Sequence, residues 1–316
     1  RPAAPTVDPR SWQGHTPARM DHVLTLIAPP GGLSIASLHA ARDALARIGA
    51  TVGTPAWLAP EEAADLPFAG LATEQADAAA RVALADRPVD MIAQSATGRR
   101  KRLLIADMDS TIVTTETLDE LAGQAGIKDR IAAITKRAMN GELDFEGALR
   151  ERVGMLKGLP VEAMQRTWEE TELMPGAVQL VATMRAAGAR CALVSGGFTF
   201  FTGRVAALVG FHEHHSNTLL EANGRLTGDV ADPILGRNAK LATLKRLAAE
   251  EGIGLDATLA VGDGANDLDM IQAAGLGVAY HAKPVVAAAS RARVEHGDLR
   301  ALLFAQGYRS AEFAAG

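Results

Sequence analysis

The chain has 316 residues, 48% hydrophobic and 22% charged, a balance that excludes a wholly disordered or fibrous protein. A net charge of −5 and 13 aromatics (8 Phe, 3 Trp, 2 Tyr) argue against a nucleic-acid binder or a base-stacking platform. Cys191 is the single cysteine, which excludes an internal disulfide and a Cys-rich metal cluster, and the length points to two domains or one domain with an insertion.

In chain order, residues 1–20 carry Pro, Gly, Trp and charges but no apolar h-region, and predict a flexible leader. The longest early apolar stretch, Val23 to Ala28, is far short of the roughly 20 residues that span a bilayer, and no later stretch reaches that length uninterrupted. A cytoplasmic protein is expected. His22 to Ala28 predicts a strand, and Pro29-Pro30-Gly31-Gly32 a turn. Leu38, Ala41, Leu45 and Ile48 recur at helical spacing before Gly49, a C-cap residue. Ala50 to Leu58 reads as a strand, Thr73 to Ala85 as a helix and Val89 to Ala93 as another strand. This order predicts a small α+β module over residues 21–97. It resembles an ACT-like domain, and the resemblance implies regulation or dimerisation, with a homodimer as the partner arrangement.

Gly98-Arg99-Arg100-Lys101-Arg102 reads as a solvated linker into a second domain, residues 98–316, because the rest of the chain is acidic. Leu103–Ala106, Cys191–Val194 and Thr258–Val261 are unbroken apolar runs that stop at Asp107, at Ser195 and at Gly262-Asp263; Leu276 to Tyr280 is a fourth run. Such runs between helical stretches predict an α/β fold with a Rossmann-like parallel sheet buried on both faces. Functional residues then belong just past the carboxyl ends of the strands. About 80 residues separate Asp107 from Cys191, far more than a crossover requires. Helical segments at Thr117–Ala125, Ile127–Met139, Phe145–Leu156 and Val161–Glu170 predict a helical cap at about 117–174 over the strand ends.

Asp107-Met108-Asp109-Ser110-Thr111 places two carboxylates two positions apart at the end of a buried strand, where their charges require a cation. Mg²⁺ takes such hard oxygen ligands. Ser195-Gly196-Gly197 offers a hydroxyl and unhindered amides to a phosphate group. Lys240 is the cation that a phosphate site with several acids needs. Gly262-Asp263-Gly264-Ala265-Asn266-Asp267 adds two acids four residues apart, without the spacing of a calcium loop. His212, His214 and His215 read as a loop group and not a metal site, Cys191 as a small buried core residue, and Trp168 as packing.

These four motifs, in this order, resemble the haloacid dehalogenase-like superfamily, and over about residues 101–300 its phosphoserine phosphatases. The resemblance implies Mg²⁺-dependent hydrolysis of O-phospho-L-serine to L-serine and phosphate, the last step of L-serine biosynthesis, by way of an aspartyl-phosphate. It makes Asp107 the nucleophile and Asp109 the acid/base. It assigns the metal to Asp107, the Asp109 carbonyl and Asp263, with Asp267 in support. Ser195, Gly196 and Lys240 would hold the phosphoryl oxygens; Glu116, Arg152 and Asn266 would bind the substrate; Met139 and Phe145 would form an apolar shield. Two competing functions are another small phosphomonoester such as phosphothreonine or phosphohomoserine, and a phosphoacceptor signalling module. No nucleic-acid or membrane partner is expected.

Overall fold

The computed structural model describes residues 20–140 and 142–315. The leader expected over residues 1–20 therefore lies almost wholly outside the described residues.

The first part of the chain runs β1 (His22–Ile27), α1 (Ile35–Arg47), β2 (Thr51–Val52), β3 (Ala56–Ala59), β4 (Ala63–Ala69), α2 (Thr73–Ala83) and β5 (Asp90–Ser95). Ser34 caps α1 by accepting from the Ser37 amide at 3.1 Å. The antiparallel sheet has the order β2-β4-β1-β5, with β3 also paired to β4. The single strand expected over 50–58 is two short ones, and β4, which pairs with three others, shows no clear run of its own in the sequence. Pro67 masks it. Proline has no N–H to give a ladder, but the Gly53 amide donates to Pro67 O at 2.8 Å, so that edge of Pro67 faces the gap between β2 and β3, where no donor is needed.

Alternation divides this sheet between two cores. Leu24, Leu26, Leu66, Phe68 and Met91 pack with Leu38, Ala41 and Leu45 of α1 and Ala76 and Ala80 of α2. Ile27, Ala63 and Ile92 face the other way and join the main core.

The second part opens with β6 (Leu103–Ala106) and four helices, α3 (Thr117–Gly123), α4 (Lys128–Met139), α5 (Phe145–Gly154) and α6 (Glu162–Glu169). It continues with α7 (Ala177–Ala186), β7 (Arg190–Phe198), α8 (Thr199–Val209), β8 (Glu213–Asn217), β9 (Leu219–Ala222), β10 (Arg225–Val230), α9 (Arg237–Glu250), β11 (Thr258–Gly262), α10 (Leu268–Ala273), β12 (Leu276–Tyr280), α11 (Pro284–Ala289), β13 (Ala292–Val294) and α12 (Ala301–Ala305). Six strands form the sheet β13-β12-β11-β6-β7-β8. All are parallel. Leu104, Ala106, Cys191, Leu193, Leu259 and Val261 enter one core with Leu180 and Met184 of α7. Leu103, Ile105, Ala192, Val194 and Ala260 enter another with Leu244 and Leu247 of α9 and Met270 of α10. Both faces are thus apolar, which is why the strands read as unbroken runs. This is an α/β fold with a parallel sheet at its centre, as the apolar runs predict.

The four helices α3–α6 lie where the cap was expected. A β9–β10 hairpin, closed by Asn223-Gly224 at positive φ (52° and 70°), joins them. The Gly158 amide donates to Leu226 O at 2.8 Å and the Leu226 amide to Leu159 O at 2.9 Å. No helix among the described residues is long and apolar enough to cross a membrane.

Two expectations are corrected. The basic run is solvated only in part: Gly98, Arg100 and Arg102 are exposed, but Arg99 grips Asp65 at 2.6 and 2.9 Å, and buried Lys101 donates to Gly98 O and Asp256 O. Only His212 of the three histidines lies in a loop; His214 and His215 belong to edge strand β8. Each has an ordinary polar partner: His212 accepts from the Cys191 amide, His214 meets Thr202 and His215 meets Glu213. Cys191 is buried as expected, and burial pushes its thiol up to about 12.

Candidate active site

Three neighbouring strands deliver two of the acids and a serine hydroxyl. Asp107 follows β6, Ser195 lies within β7 and Asp263 follows β11. All three strands are parallel, so their carboxyl ends share one edge of the sheet. Strand β7 is assigned through Gly196 and Gly197 to Phe198, and its pairing with β8 breaks between Val194 and Phe198. Asn217 of β8 clamps that irregular stretch, donating to Gly196 O at 2.8 Å while accepting from the Leu235 amide at 2.7 Å.

Lys240 is fully buried on α9 and sets the geometry. Its Nζ donates to Asp267 Oδ1 at 2.6 Å and lies 2.9 Å from Asp107 Oδ1. Burial opposes its charge, but Asp107 and Asp267 outweigh burial and hold the ammonium above its usual range. Asp107 Oδ1 also accepts from the Met108 amide at 2.8 Å. Among the described residues Oδ2 of Asp107 has no hydrogen bond. Asp267 Oδ2 accepts from the amides of Asp263 (3.2 Å) and Gly264 (3.0 Å). A Cβ on Gly262 would collide with the Asp267 carboxylate, so glycine is required there.

Asp109 Oδ1 accepts from the Thr117 amide at 2.8 Å, and Oδ2 from Ser195 Oγ at 3.3 Å. Burial first, and then the Asp107 charge, raise its carboxyl to about 6. The same two causes raise Asp263 to about 6 and Asp267 to about 8. Glu116 accepts from Ser110 Oγ at 2.6 Å, and burial, Asp109 and Asp263 push its carboxyl upward.

Asp107, Asp263 and Asp267 offer oxygens within 4.8 Å of one another, the one such His/Cys/Asp/Glu group among the described residues. Asp263 Oδ2 is buried without a hydrogen bond, although Lys283 Nζ stands 3.2 Å away. Among the described residues, the acids Asp107, Asp109, Asp263, Asp267 and Glu116 stand near three cations, Lys240, Lys283 and Arg152, the last of which also faces Asp119. Buried carboxylates left in excess are costly unless a cation joins them. The all-oxygen donor set fits a hard divalent ion.

The pocket beside this cluster is lined by Asp107, Asp109, Glu116, Arg152, Ser195, Gly196 and Asn266, together with Leu118 of α3 and Phe145 and Leu149 of α5. It encloses about 30 Å³. That is room for about two waters, not for a phosphorylated amino acid. The Phe145 ring lies over Gly196, where a Cβ would come 2.7 Å from its Cζ. Met139 ends α4, but its side chain lies outside the described residues.

All the other site residues expected from the sequence converge here. Sequence reasoning missed Lys283, although it sits three positions past the end of the fourth apolar run, where the strand-end rule points. It also missed Leu118, Leu149 and Asn217, which carry no local signal.

A haloacid dehalogenase-like hydrolase family model matches residues 104–272. The chain is 45% identical over 200 residues to the phosphoserine phosphatase of Archaeoglobus fulgidus, covering 63% of this chain and 58% of that protein. It is similar to the structure of a phospho-aspartyl intermediate analogue of phosphoserine phosphatase, at 40% identity and TM-score 0.63, covering 65% of this chain and 98% of that one. A haloacid dehalogenase family hydrolase of Salmonella enterica serovar Typhi aligns over 92% of this chain and 100% of its own, at 28% identity and TM-score 0.77. The chain spans 58%, 63% and 53% of three longer curated relatives that it matches.

Proposed function

The chain belongs to the haloacid dehalogenase-like hydrolases, and on that footing we propose that it is a Mg²⁺-dependent phosphatase converting O-phospho-L-serine to L-serine and phosphate. The observation that carries this reading is Asp107. Its Oδ1 is tied to Lys240 and the Met108 amide, and its Oδ2 is left with no hydrogen bond among the described residues. A carboxylate so held is a nucleophile with one fixed oxygen and one available.

Asp107 forms a bond to phosphorus as the bond to the serine oxygen breaks. Asp109, its carboxyl pushed upward by burial and the Asp107 charge, would give that oxygen its proton. In the second half Asp109 takes a proton from water, the water oxygen bonds to phosphorus, and the acyl phosphate opens to regenerate the Asp107 carboxylate. Lys240 has a third N–H beyond the two its acids use, and it would reach a phosphoryl oxygen with the Ser195 hydroxyl and the Gly196 amide. Glu116 would meet the ammonium of the substrate and Arg152 its carboxylate, with Asn266 beside them. Asp107, Asp263, Asp267 and the Asp109 carbonyl would hold Mg²⁺, which when bound supplies charge neutralisation to the acids and to the transferring group.

Release of phosphate from O-phospho-L-serine tests the reading. Turnover should require Mg²⁺, stop with EDTA, and fall by at least about 10⁴-fold in Asp107→Asn. Retention of turnover by that variant would overturn the mechanism.

A further inference from the structure

Arg152 on α5 is buried, and two of its five N–H groups are spent inside the cap. Nε donates to Ala148 O at 3.1 Å, and Nη1 donates to Thr135 Oγ1 at 2.9 Å. Thr135, on α4, in turn donates from Oγ1 to Asp119 Oδ1 on α3 at 2.6 Å. The direction of this chain is unambiguous. A guanidinium only donates and a carboxylate only accepts, so the hydroxyl proton must point at Asp119 and its lone pairs at Arg152. All three side chains are buried, at 4% exposure for Thr135, 8% for Asp119 and 6% for Arg152.

We propose that Thr135 is a positioning residue for substrate selection: its hydroxyl stands between Asp119 and Arg152 and aims the guanidinium at the carboxylate of an amino-acid phosphomonoester. The inference rests on the reading that Arg152 meets that carboxylate. Without an intervening hydroxyl, Asp119 would pair with Arg152 directly and compete for the planar fork that grips carboxylates with two parallel bonds. With it, Asp119 polarises the relay from one residue away. Among the described residues Nη2 of Arg152 has no partner, and the residue lines the pocket. The relay also joins three separate cap helices, so the aim of Arg152 depends on how those helices pack.

The test compares kcat/KM for O-phospho-L-serine with that for O-phosphoethanolamine, which keeps the phosphate and ammonium but lacks the carboxylate. The wild-type ratio should exceed about 100. A ratio near one would overturn the carboxylate reading of Arg152 itself, and this proposal with it. Thr135→Val removes the hydroxyl at nearly constant volume and should lower the ratio at least about tenfold, mainly through KM for phosphoserine. Thr135→Ser keeps the hydroxyl and should hold the ratio within about twofold of wild type. If Thr135→Val does not fold by circular dichroism, Thr135→Ala makes the same comparison. A wild-type-like ratio in the hydroxyl-free variant, or an equal fall in Thr135→Ser, would overturn the proposal while leaving the carboxylate reading intact.

Discussion

Lys240 Nζ stands 2.9 Å from Asp107 Oδ1 with both side chains buried, so the charge that orients the proposed nucleophile is itself shut away from water. Replacing one partner of such a pair leaves the other charge uncompensated. Lys240→Met should lower the unfolding free energy by about 3–5 kcal/mol and kcat by at least about 100-fold. Denaturant melts and steady-state kinetics read the two effects. An active and equally stable variant would contradict the assignment.

Metal-free protein should lose stability as pH rises. Asp263 and Asp267 are raised from 3.8 to about 6 and about 8. The folded chain therefore keeps protons that the unfolded chain has released between roughly pH 4 and pH 8, and stability declines across that window. A divalent ion replaces those protons, so the Tm gained on adding Mg²⁺ should be larger near pH 8 than near pH 5.5. Thermal melts at both pH values, with EDTA or Mg²⁺, check this; equal gains would refute it.

Gly197 should tolerate no side chain. A Cβ there would come 2.8 Å from Asp109 Oδ2 and 3.1 Å from Ser195 Oγ. Gly197→Ala should push the Asp109 carboxyl out of place and reduce kcat by about 100-fold. Far-UV circular dichroism should be unchanged.

The two sheets should melt together. Arg99 bonds Asp65 through Nη1 and Nη2, and reaches Thr25, Phe304 O and Ala305 O. Asp90 accepts from the amides of Glu295, His296 and Gly297. Arg99→Met strands a largely buried carboxylate and should cost about 3 kcal/mol. Differential scanning calorimetry should give one transition for wild type; two separated transitions would refute the coupling.

What could be read in advance follows from what leaves a local trace. Strands buried on both faces declared themselves as apolar runs, and acids placed just after them declared the site. Strand β4 did not, because Asp65 and Pro67 interrupt its pattern, and only the partners of those residues (Arg99, and the gap beside Gly53) make them acceptable. Strand β8 is hidden by its histidines, which an edge strand admits. The β9–β10 hairpin was announced by Asn223-Gly224 and passed over. Thr135 and Asn217 act across the fold, and nothing beside them in the chain marks what they do.

The chamber against Asp107 holds about 30 Å³. A phosphorylated amino acid of the proposed kind would fit only if α3 and α5 moved outward, so entry of that substrate and release of its products would each call for such a movement. Inhibitors shaped to the cleft as it stands would be hardly bigger than a hydrated ion; larger scaffolds would need it widened.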